Sequence, residues 1–284
     1  MIWWKVTNIV YVSDALLSDI VGGGELNDHE LCLELENEGF NVKKLRSRQV
    51  SEEHINTNSF YIISNFALLN NRVLNKIQST CDYMIYEHDH KYLKNRNPAI
   101  FNNYKAPETM IINQEFYKKS KTVFCQSSFH ESIIKKNLNL DNLYNVSGNL
   151  WSLDSLRTMR ILSKKQKKDC FSVMNSAIGH KNTTETCFYC DKKGYKYELI
   201  SSESYQEFLS LLSNNKKFIF LPKTPETLSR VVVEARMMNV KVTTNKRVGA
   251  SYEDWFELKG EKLIDYMLNK RQEIADKVIE VING

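Results

Sequence analysis

The chain has 284 residues, room for two domains of about 140 residues each. With 42% hydrophobic and 26% charged residues it has the balance of a globular protein, and no run of eighteen apolar residues provides a membrane-spanning helix. A net charge of +5 permits a phosphate-rich partner without demanding one. The opening MIWWKVTNIV carries a single lysine and leads into an apolar strand, so no secretory signal is expected there. Six cysteines, among them Cys32, Cys125 and Cys170 in apolar segments, point to reduced thiols and a cytoplasmic setting.

Asn8 to Ser13 reads as a short apolar strand, followed after a polar segment by Gly22-Gly23-Gly24-Glu25. These glycines open a helix carrying Leu26, Leu31, Cys32, Leu33 and Leu35 that stops at Gly39, and Phe40 to Leu45 is the next strand. The result is a βαβ opening. A glycine turn at a helix start lets backbone approach a ligand closely and aims N–H groups at it; its other reading is a tight turn and nothing more. The GxGxxG spacing is missing and no acid follows the next strand, which excludes the dinucleotide fingerprint.

Phe60 to Phe66 is a strand, Leu68 to Ile77 a helix, and Tyr83 to Tyr86 a strand ending in Glu87-His88-Asp89-His90. Chemistry in open α/β sheets gathers at the C-terminal ends of strands. Three readings of this cluster stand: a metal site lacking a further ligand at useful spacing, a structural loop, or a substrate-contacting histidine. Thr122 to Gln126 is another strand, and SSFHESIIKKNL a helix capped by Ser127 or Ser128. Asn145 to Asn149 is a strand end and turn. Trp151 to Asp169 contains SKKQKKD, read as a solvated linker or helix end, with a phosphate-backbone contact as the alternative.

A second alternation begins at Cys170 with the strand CFSVMNS and a loop holding Asn175, Ser176, Gly179, His180 and Lys181. Cys187-x-x-Cys190 falls on a helix from Thr183 to Lys192, without a second cysteine pair or nearby histidine to complete a zinc site. Tyr197 to Ser201 is a strand, Tyr205 to Leu212 a helix, and Lys217 to Leu221 a strand. A turn with Pro222 and Pro225 then leads into a helix with Leu228, Val231, Val232, Ala235 and Met238 at i, i+3, i+4, i+7 and i+10. Thr224 or Thr227 is its expected cap, with Pro225 tolerated in the first turn. Glu226 at the helix mouth and Glu234 are then eight helical steps apart, about 12 Å along the axis. Val240 to Thr244 is a strand, a turn holds Gly249, and a last helix runs from Lys262 to Ile282. Strand alternating with helix over both halves predicts parallel α/β sheets.

The proline turn, Glu226, the seven residues to Glu234, the VTTN strand and the VGAS turn together resemble the donor-site signature of retaining, two-Rossmann-domain (GT-B) glycosyltransferases, family 4 above all. The glycine turn resembles their GG-A/G-E segment. His88-Asp89 matches their His-Asp after a first-domain strand, and YEHDHKYL is similar to the corresponding segment of phage DNA α-glucosyltransferases. The resemblance implies an α/β fold of two Rossmann-like domains with parallel sheets facing a central cleft. Residues 1–150 would be the acceptor domain, 151–168 a crossover linker and 169–284 the nucleotide-sugar donor domain.

It also implies hexosyl or pentosyl transfer with retention, from a nucleotide sugar (a UDP-sugar is expected, as co-substrate and not as a cofactor) to an acceptor hydroxyl. His88, Asp89 and Glu226 are the implied catalytic residues at the donor sugar. Gly23 and Gly24 would face the diphosphate, and the N–H groups of Thr227 and Leu228 would assist Glu226. Lys181 would neutralise phosphate and Glu234 would grip the ribose. The family's arginine is missing from Asn175-Ser176, leaving Arg230 or Arg247 to compensate. Without an Asp-x-Asp motif, no metal is expected, and Lys181 with helix N-termini would stabilise the leaving group. The acceptor is a hydroxymethylated base in phage DNA or a glycan. Basic clusters at Lys43, Lys44, Arg46 and Arg48, at Lys91, Lys94 and Arg96, at Lys118, Lys119 and Lys121, and at Lys164, Lys165, Lys167 and Lys168 lean toward DNA, their other reading being scattered solvated side chains in a Lys- and Asn-rich chain. A nucleotide-sugar epimerase and a non-catalytic nucleotide-sugar-binding protein of the same fold are the rival readings.

Overall fold

The computed structural model describes residues 8–284. The expectation about a leader peptide falls on residues 1–7 and lies outside them. The chain packs as two compact units, one running to Leu150 and taking in Arg271–Gly284, the other Trp151–Lys270.

Unit 1 is built on a six-stranded parallel sheet of β1 (Asn8–Ser13), β2 (Asn41–Arg46), β3 (Phe60–Ile63), β4 (Tyr83–Tyr86), β5 (Val123–Cys125) and β6 (Leu143–Asn145). The spatial order is β2-β1-β3-β4-β5-β6. Its helices are α1 (Gly23–Asn37), α2 (Asn71–Thr80), α3 (Gln114–Lys119) and α4 (Ser128–Leu138). Every residue of β3 and β4 is buried, which is why FYII and YMIY are unbroken apolar runs: a parallel sheet is covered on both faces. One face packs Ile9 and Tyr11 against Leu31, Cys32 and Leu35 of α1. The other packs Val10 and Val12 with Val73 and Ile77 of α2.

Unit 2 has a four-stranded parallel sheet of β7 (Lys168–Met174), β8 (Tyr197–Ile200), β9 (Asn215–Phe220) and β10 (Lys241–Thr244), in the order β10-β9-β7-β8. Its helices are α5 (Leu153–Ser163), α6 (Thr183–Lys193), α7 (Tyr205–Ser213) and α8 (Arg230–Met237). The last helix, α9 (Gly260–Asn283), puts Leu263, Ile264 and Met267 into the core of unit 2 and Ile274, Val278 and Ile282 into that of unit 1. Both sheets repeat one order, in which the first strand has the second on one side and the third on the other. The chain direction therefore reverses beside β1 in unit 1 and beside β7 in unit 2, and the crevices at those two switch points are where α/β sheets bind ligands.

Three expectations need correction. Residues 151–168 hold α5, with Leu156 and Met159 buried in the core of unit 2; the basic SKKQKKD run covers only its end, the turn and the start of β7. The stretch from Arg271, expected within residues 169–284 of the second unit, belongs to unit 1. Helix α8 starts at Arg230, because Ser229 takes a left-handed φ of 76° and Glu226 pairs instead as an isolated parallel bridge with Val248. The 12 Å axial separation of the two glutamates therefore does not apply, since Glu226 is extended and off the helix. All six cysteines are free thiols. Among the described residues no helix is long and apolar enough to cross a membrane.

Candidate functional site

At the switch point of unit 2, the loops after β7 and β9 are stitched together. Thr183 donates its hydroxyl to the Met174 carbonyl (2.8 Å) and accepts from the Ser176 N–H (3.1 Å). Asn182 takes a left-handed φ of 66° and donates to the Leu221 carbonyl at 2.7 Å, while the Lys223 N–H donates to the His180 carbonyl at 2.9 Å. From the other side the Glu226 N–H donates to Arg247 O (2.7 Å) and the Gly249 N–H to Glu226 O (2.9 Å). Two loops far apart in sequence thus hold Lys181 Nζ 2.9 Å from both carboxylate oxygens of Glu226. The side chains are 25% and 12% exposed, so the pair still reaches solvent. A cation held this way can exchange one anionic partner for another.

Glu234 is different. It is only 2% exposed, and its Oε1 accepts from Trp151 Nε1 (3.0 Å) and the Tyr205 hydroxyl (2.7 Å). Arg230, one helical turn earlier, brings Nε to 3.5 Å of the same oxygen and stacks its guanidinium 4.5 Å above the Trp151 ring. Burial, and then the Glu234 charge, raise the Tyr205 hydroxyl well above its ordinary pKa, so it stays a donor. Trp151 and Tyr205 were not signalled by spacing; only the i, i+4 relation of Arg230 to Glu234 was there to be read. Arg247 lies beside Glu226, its own Nη1 donating to Pro222 O at 3.4 Å. The Leu228 carbonyl accepts from the Ala250 N–H at 2.9 Å and its side chain is buried. Thr227 and Leu228 precede the helix and are not part of its first turn.

In unit 1 the four residues after β4 go to different partners. Glu87, fully buried, takes Lys91 and the Tyr117 hydroxyl as short hydrogen-bond partners and accepts the Asp89 N–H at 2.9 Å. The Asp89 side chain pairs with Arg96. Burial works against its charge, but Lys91, His90 and Arg96 outweigh it and hold its pKa low. His90 is buried against Tyr92 (Nδ1 to hydroxyl 3.0 Å), and burial drives its pKa down to about 4. Among the described residues no group of three or more His, Cys, Asp or Glu side chains is arranged to hold a metal ion.

His88 is fixed at both ring nitrogens. Gln126 donates to Nδ1 and also to the Glu87 carbonyl (3.3 Å), while its own oxygen accepts from Asn149 (3.4 Å). That pattern sets the amide orientation, so Nδ1 is the acceptor and Nε2–H donates to Asp28 Oδ1 at 2.5 Å. Asp28 also accepts the Ser64 hydroxyl at 2.5 Å. Burial opposes its charge, yet His88 and Ser64 lower its pKa overall. Gly24, in the first turn of α1, stands where an added Cβ would lie 3.5 Å from His88 Cγ and from Asn65 Nδ2; Gly23 begins the helix. Asp28 and Gln126 escaped the sequence reading, although a carboxylate three and four residues before Leu31 and Cys32 on a core-facing stripe was a legible sign.

No protein-family model matches the chain, and no curated protein matches it. Solved structures do. The catalytic domain of starch synthase IV from Arabidopsis thaliana, bound to ADP and acarbose, superposes with a TM-score of 0.57 at 8% identity, over 98% of this chain and 95% of that one. A glycosyltransferase from Rickettsia africae gives 0.52 at 11% identity, over 98% and 94%. An α-glucosyltransferase in complex with UDP and a 13-mer DNA containing an HMU base gives 0.48 at 10% identity, over 98% and 95%, a looser likeness on which nothing below depends. At such identities the first two likenesses speak for the fold, and that fold is the GT-B arrangement of glycosyltransferases: two Rossmann-like units, each on a parallel sheet.

Proposed function

We propose that the chain is a retaining, metal-independent glycosyltransferase that moves a hexosyl or pentosyl group from a nucleotide sugar to an acceptor hydroxyl. The observation that carries this reading is the Lys181–Glu226 pair at the switch point of unit 2. In transfer, the bond from the anomeric carbon to the diphosphate oxygen breaks and negative charge collects on the leaving oxygen. The Lys181 ammonium is the group suited to meet that charge. Glu226, released from it, then accepts hydrogen bonds from sugar hydroxyls, with the Thr227 and Leu228 backbone beside it. A pair that is neutral before the donor arrives avoids leaving either charge unpartnered.

Glu234 takes the ribose in this reading, which requires Trp151 or Tyr205 to yield one hydrogen bond, because its carboxylate is almost inaccessible. The donor is a UDP-sugar acting as co-substrate, bound by unit 2, and Arg247 beside Glu226 is the better placed of the two arginines to face phosphate. Gly23 and Gly24 leave backbone open for approach, and His88 with Asp89 acts at the transferred sugar. The acceptor is a glycan in preference to DNA. Lys44, Arg46, Arg96, Lys121 and Lys168 are each ion-paired with a nearby carboxylate, and Lys91 is buried, which withdraws part of the basic surface expected to meet phosphates.

The test is release of nucleoside diphosphate from a panel of nucleotide sugars, with and without candidate glycan acceptors. Release that depends on acceptor supports transfer, and the anomeric configuration of the product, read by NMR, decides retention. Conversion of the donor to an epimeric nucleotide sugar without net diphosphate release means the epimerase reading, and binding without any turnover means a non-catalytic protein.

A further inference from the structure

In unit 2 each helix runs into the next strand across a turn of at most four residues: α5 into β7, α6 into β8, α7 into β9 and α8 into β10. Parallel strands all begin at one edge of a sheet, so the four turns lie side by side there. The loops that carry Lys181 and Glu226 follow the other ends of β7 and β9, about 20 Å away along the seven residues of β7. Lysine gathers on the edge where the strands begin. Lys168 and Lys241 open β7 and β10, Lys216 is second in β9, Lys196 precedes β8, and all four are exposed. Lys164, Lys192 and Lys193, also exposed, sit at the ends of α5 and α6. Residues 163–169, 191–198, 214–217 and 239–241 hold ten lysines against three acidic residues, a larger net positive charge than the +5 of the whole chain.

Local structure explains only part of this. Lysines in the last turn of α6 complement its dipole, and those beside β8 and β10 guard the outer strands of the sheet. Neither need applies to β7 and β9, which are inner strands. The fold does not ask for it either. The same edge of unit 1 carries Asp82 and Asp141 with Lys121, and Lys121 is paired with Asp82. Glu198 and Asp169 take Lys168 and Lys217 as partners. Lys164, Lys192, Lys193 and Lys241 have no ion pair among the described residues.

We propose that this edge docks on an anionic lipid surface, a role that does not rest on the glycosyl-transfer reading. The four stretches contain no arginine. Arg160 and Arg236, in the last turns of α5 and α8, are engaged with Glu261 and Asp265 and with the Phe256 ring. Arginine forks grip single phosphates, as on a nucleic acid, whereas lysines are point charges suited to a diffuse anionic plane. Apolar side chains stand beside the lysines. Ile161 in the last turn of α5 is 74% exposed, and Phe188, one turn before Lys192 on α6, is 64% exposed. Tyr195, in the turn between Lys193 and Lys196, is 37% exposed. Basic groups flanked by exposed aliphatic and aromatic ones are what attachment at a headgroup boundary uses. Docked by this edge, unit 2 keeps Lys181 and Glu226 at the far ends of its strands, away from the lipid.

The test is co-sedimentation of the full chain with vesicles of phosphatidylcholine, alone or mixed with phosphatidylserine. Binding should require phosphatidylserine and weaken as salt is raised, since the screening length is only about 10 Å at 0.1 M. Changing Lys193→Gln, Lys196→Gln and Lys216→Gln together should weaken binding on the order of 100-fold, at about fivefold per lysine. Lys118→Gln with Lys119→Gln, exposed lysines at the end of α3 in unit 1, should leave it nearly unchanged. A mixed-sequence DNA duplex at matched salt should bind more weakly than the phosphatidylserine vesicles. No sedimentation with those vesicles, or an equal loss from the unit 1 pair and the unit 2 triple, would overturn the docking edge. Duplex binding tighter than vesicle binding, and removed by the same three changes, would replace the lipid by nucleic acid.

Discussion

The two switch points have the same strand order but keep their charges in opposite ways. In unit 1 the ionic groups are locked inside: Glu87–Lys91 is sealed from solvent, and Asp28 and His88 are held by Ser64 and Gln126. In unit 2 Lys181 and Glu226 pair at the rim, where each can trade its partner. One arrangement fixes geometry and the other leaves a charge to be recruited. The physical lesson is that solvent access, more than residue type, separates a frame from a binding group: both units hold a Lys–Glu pair, and only one of them can open cheaply.

The sharpest way to break that comparison is to cut each pair. Lys91→Met strands Glu87 in a dry interior, a loss of about 3–5 kcal/mol of stability. Lys181→Met, at a partly solvated pair, should cost about 1 kcal/mol or less, yet lower turnover on the order of 100-fold if it meets the leaving diphosphate. Chemical denaturation gives the first pair of numbers and nucleoside diphosphate release the last. Equal destabilisation by the two variants would show that the rim pair is as much a frame as the buried one.

A pH titration sharpens it further, because His90 belongs to the locked side. Its pKa falls from 6.5 to about 4 in the fold, so below pH 6.5 the unfolded chain binds a proton that the native state refuses. Stability contributed by neutral His90 is present above pH 6.5 and is lost as pH falls toward 4, by about 3 kcal/mol in all. His90→Gln should flatten that portion of the stability profile. An unchanged slope between pH 6.5 and 4 in the variant would mean that other groups carry the acid response.

The carboxylates of unit 2 come next in size. Glu234→Gln keeps the shape at Trp151 and Tyr205, and should weaken UDP binding by about 1–3 kcal/mol, the range for losing a charged hydrogen bond. Glu226→Gln should leave UDP affinity nearly intact and reduce turnover. Calorimetric titration with UDP checks both. Identical losses of UDP affinity would contradict the division of roles.

Much of the frame was legible in the sequence. Apolar runs such as FYII and YMIY mark fully covered strands, and the helix expected from Thr183 to Lys192 runs from Thr183 to Lys193, ending at the left-handed Gly194. What failed was local. The apolar stripe from Leu228 to Met238 has helical spacing, but the first two residues of that pattern's mouth are claimed by pairing with Val248 and by the left-handed turn at Ser229. Periodicity cannot see an isolated backbone bridge to Val248, which lies beyond the last strand. The site was legible only in part for a similar reason: Lys181 and Glu226 were each singled out, but their contact depends on Asn182 and Lys223 tying two loops together. Asp28 and Gln126, which fix His88, matter through long-range contacts that no short motif records.

The smallest expected effect separates a glycine kept for chain geometry from one kept for a ligand. Gly24 lies in the first turn of α1 with no positive φ, and a Cβ there would meet His88 and Asn65 at ordinary van der Waals distance, 3.5 Å. Neither its φ nor its neighbours therefore require glycine there. Since glycine costs a helix roughly 0.5–1 kcal/mol relative to alanine, Gly24→Ala should leave stability unchanged or raise it by up to about that amount. If backbone at this turn is kept bare for the donor, the same methyl group should lower turnover several-fold at fixed donor concentration while His88 stays in place. Thermal unfolding and donor kinetics on one preparation read both. A variant that is more stable and equally active would show that Gly24 merely opens a helix; a less stable one would mean that the space beside His88 is tighter than these contacts imply.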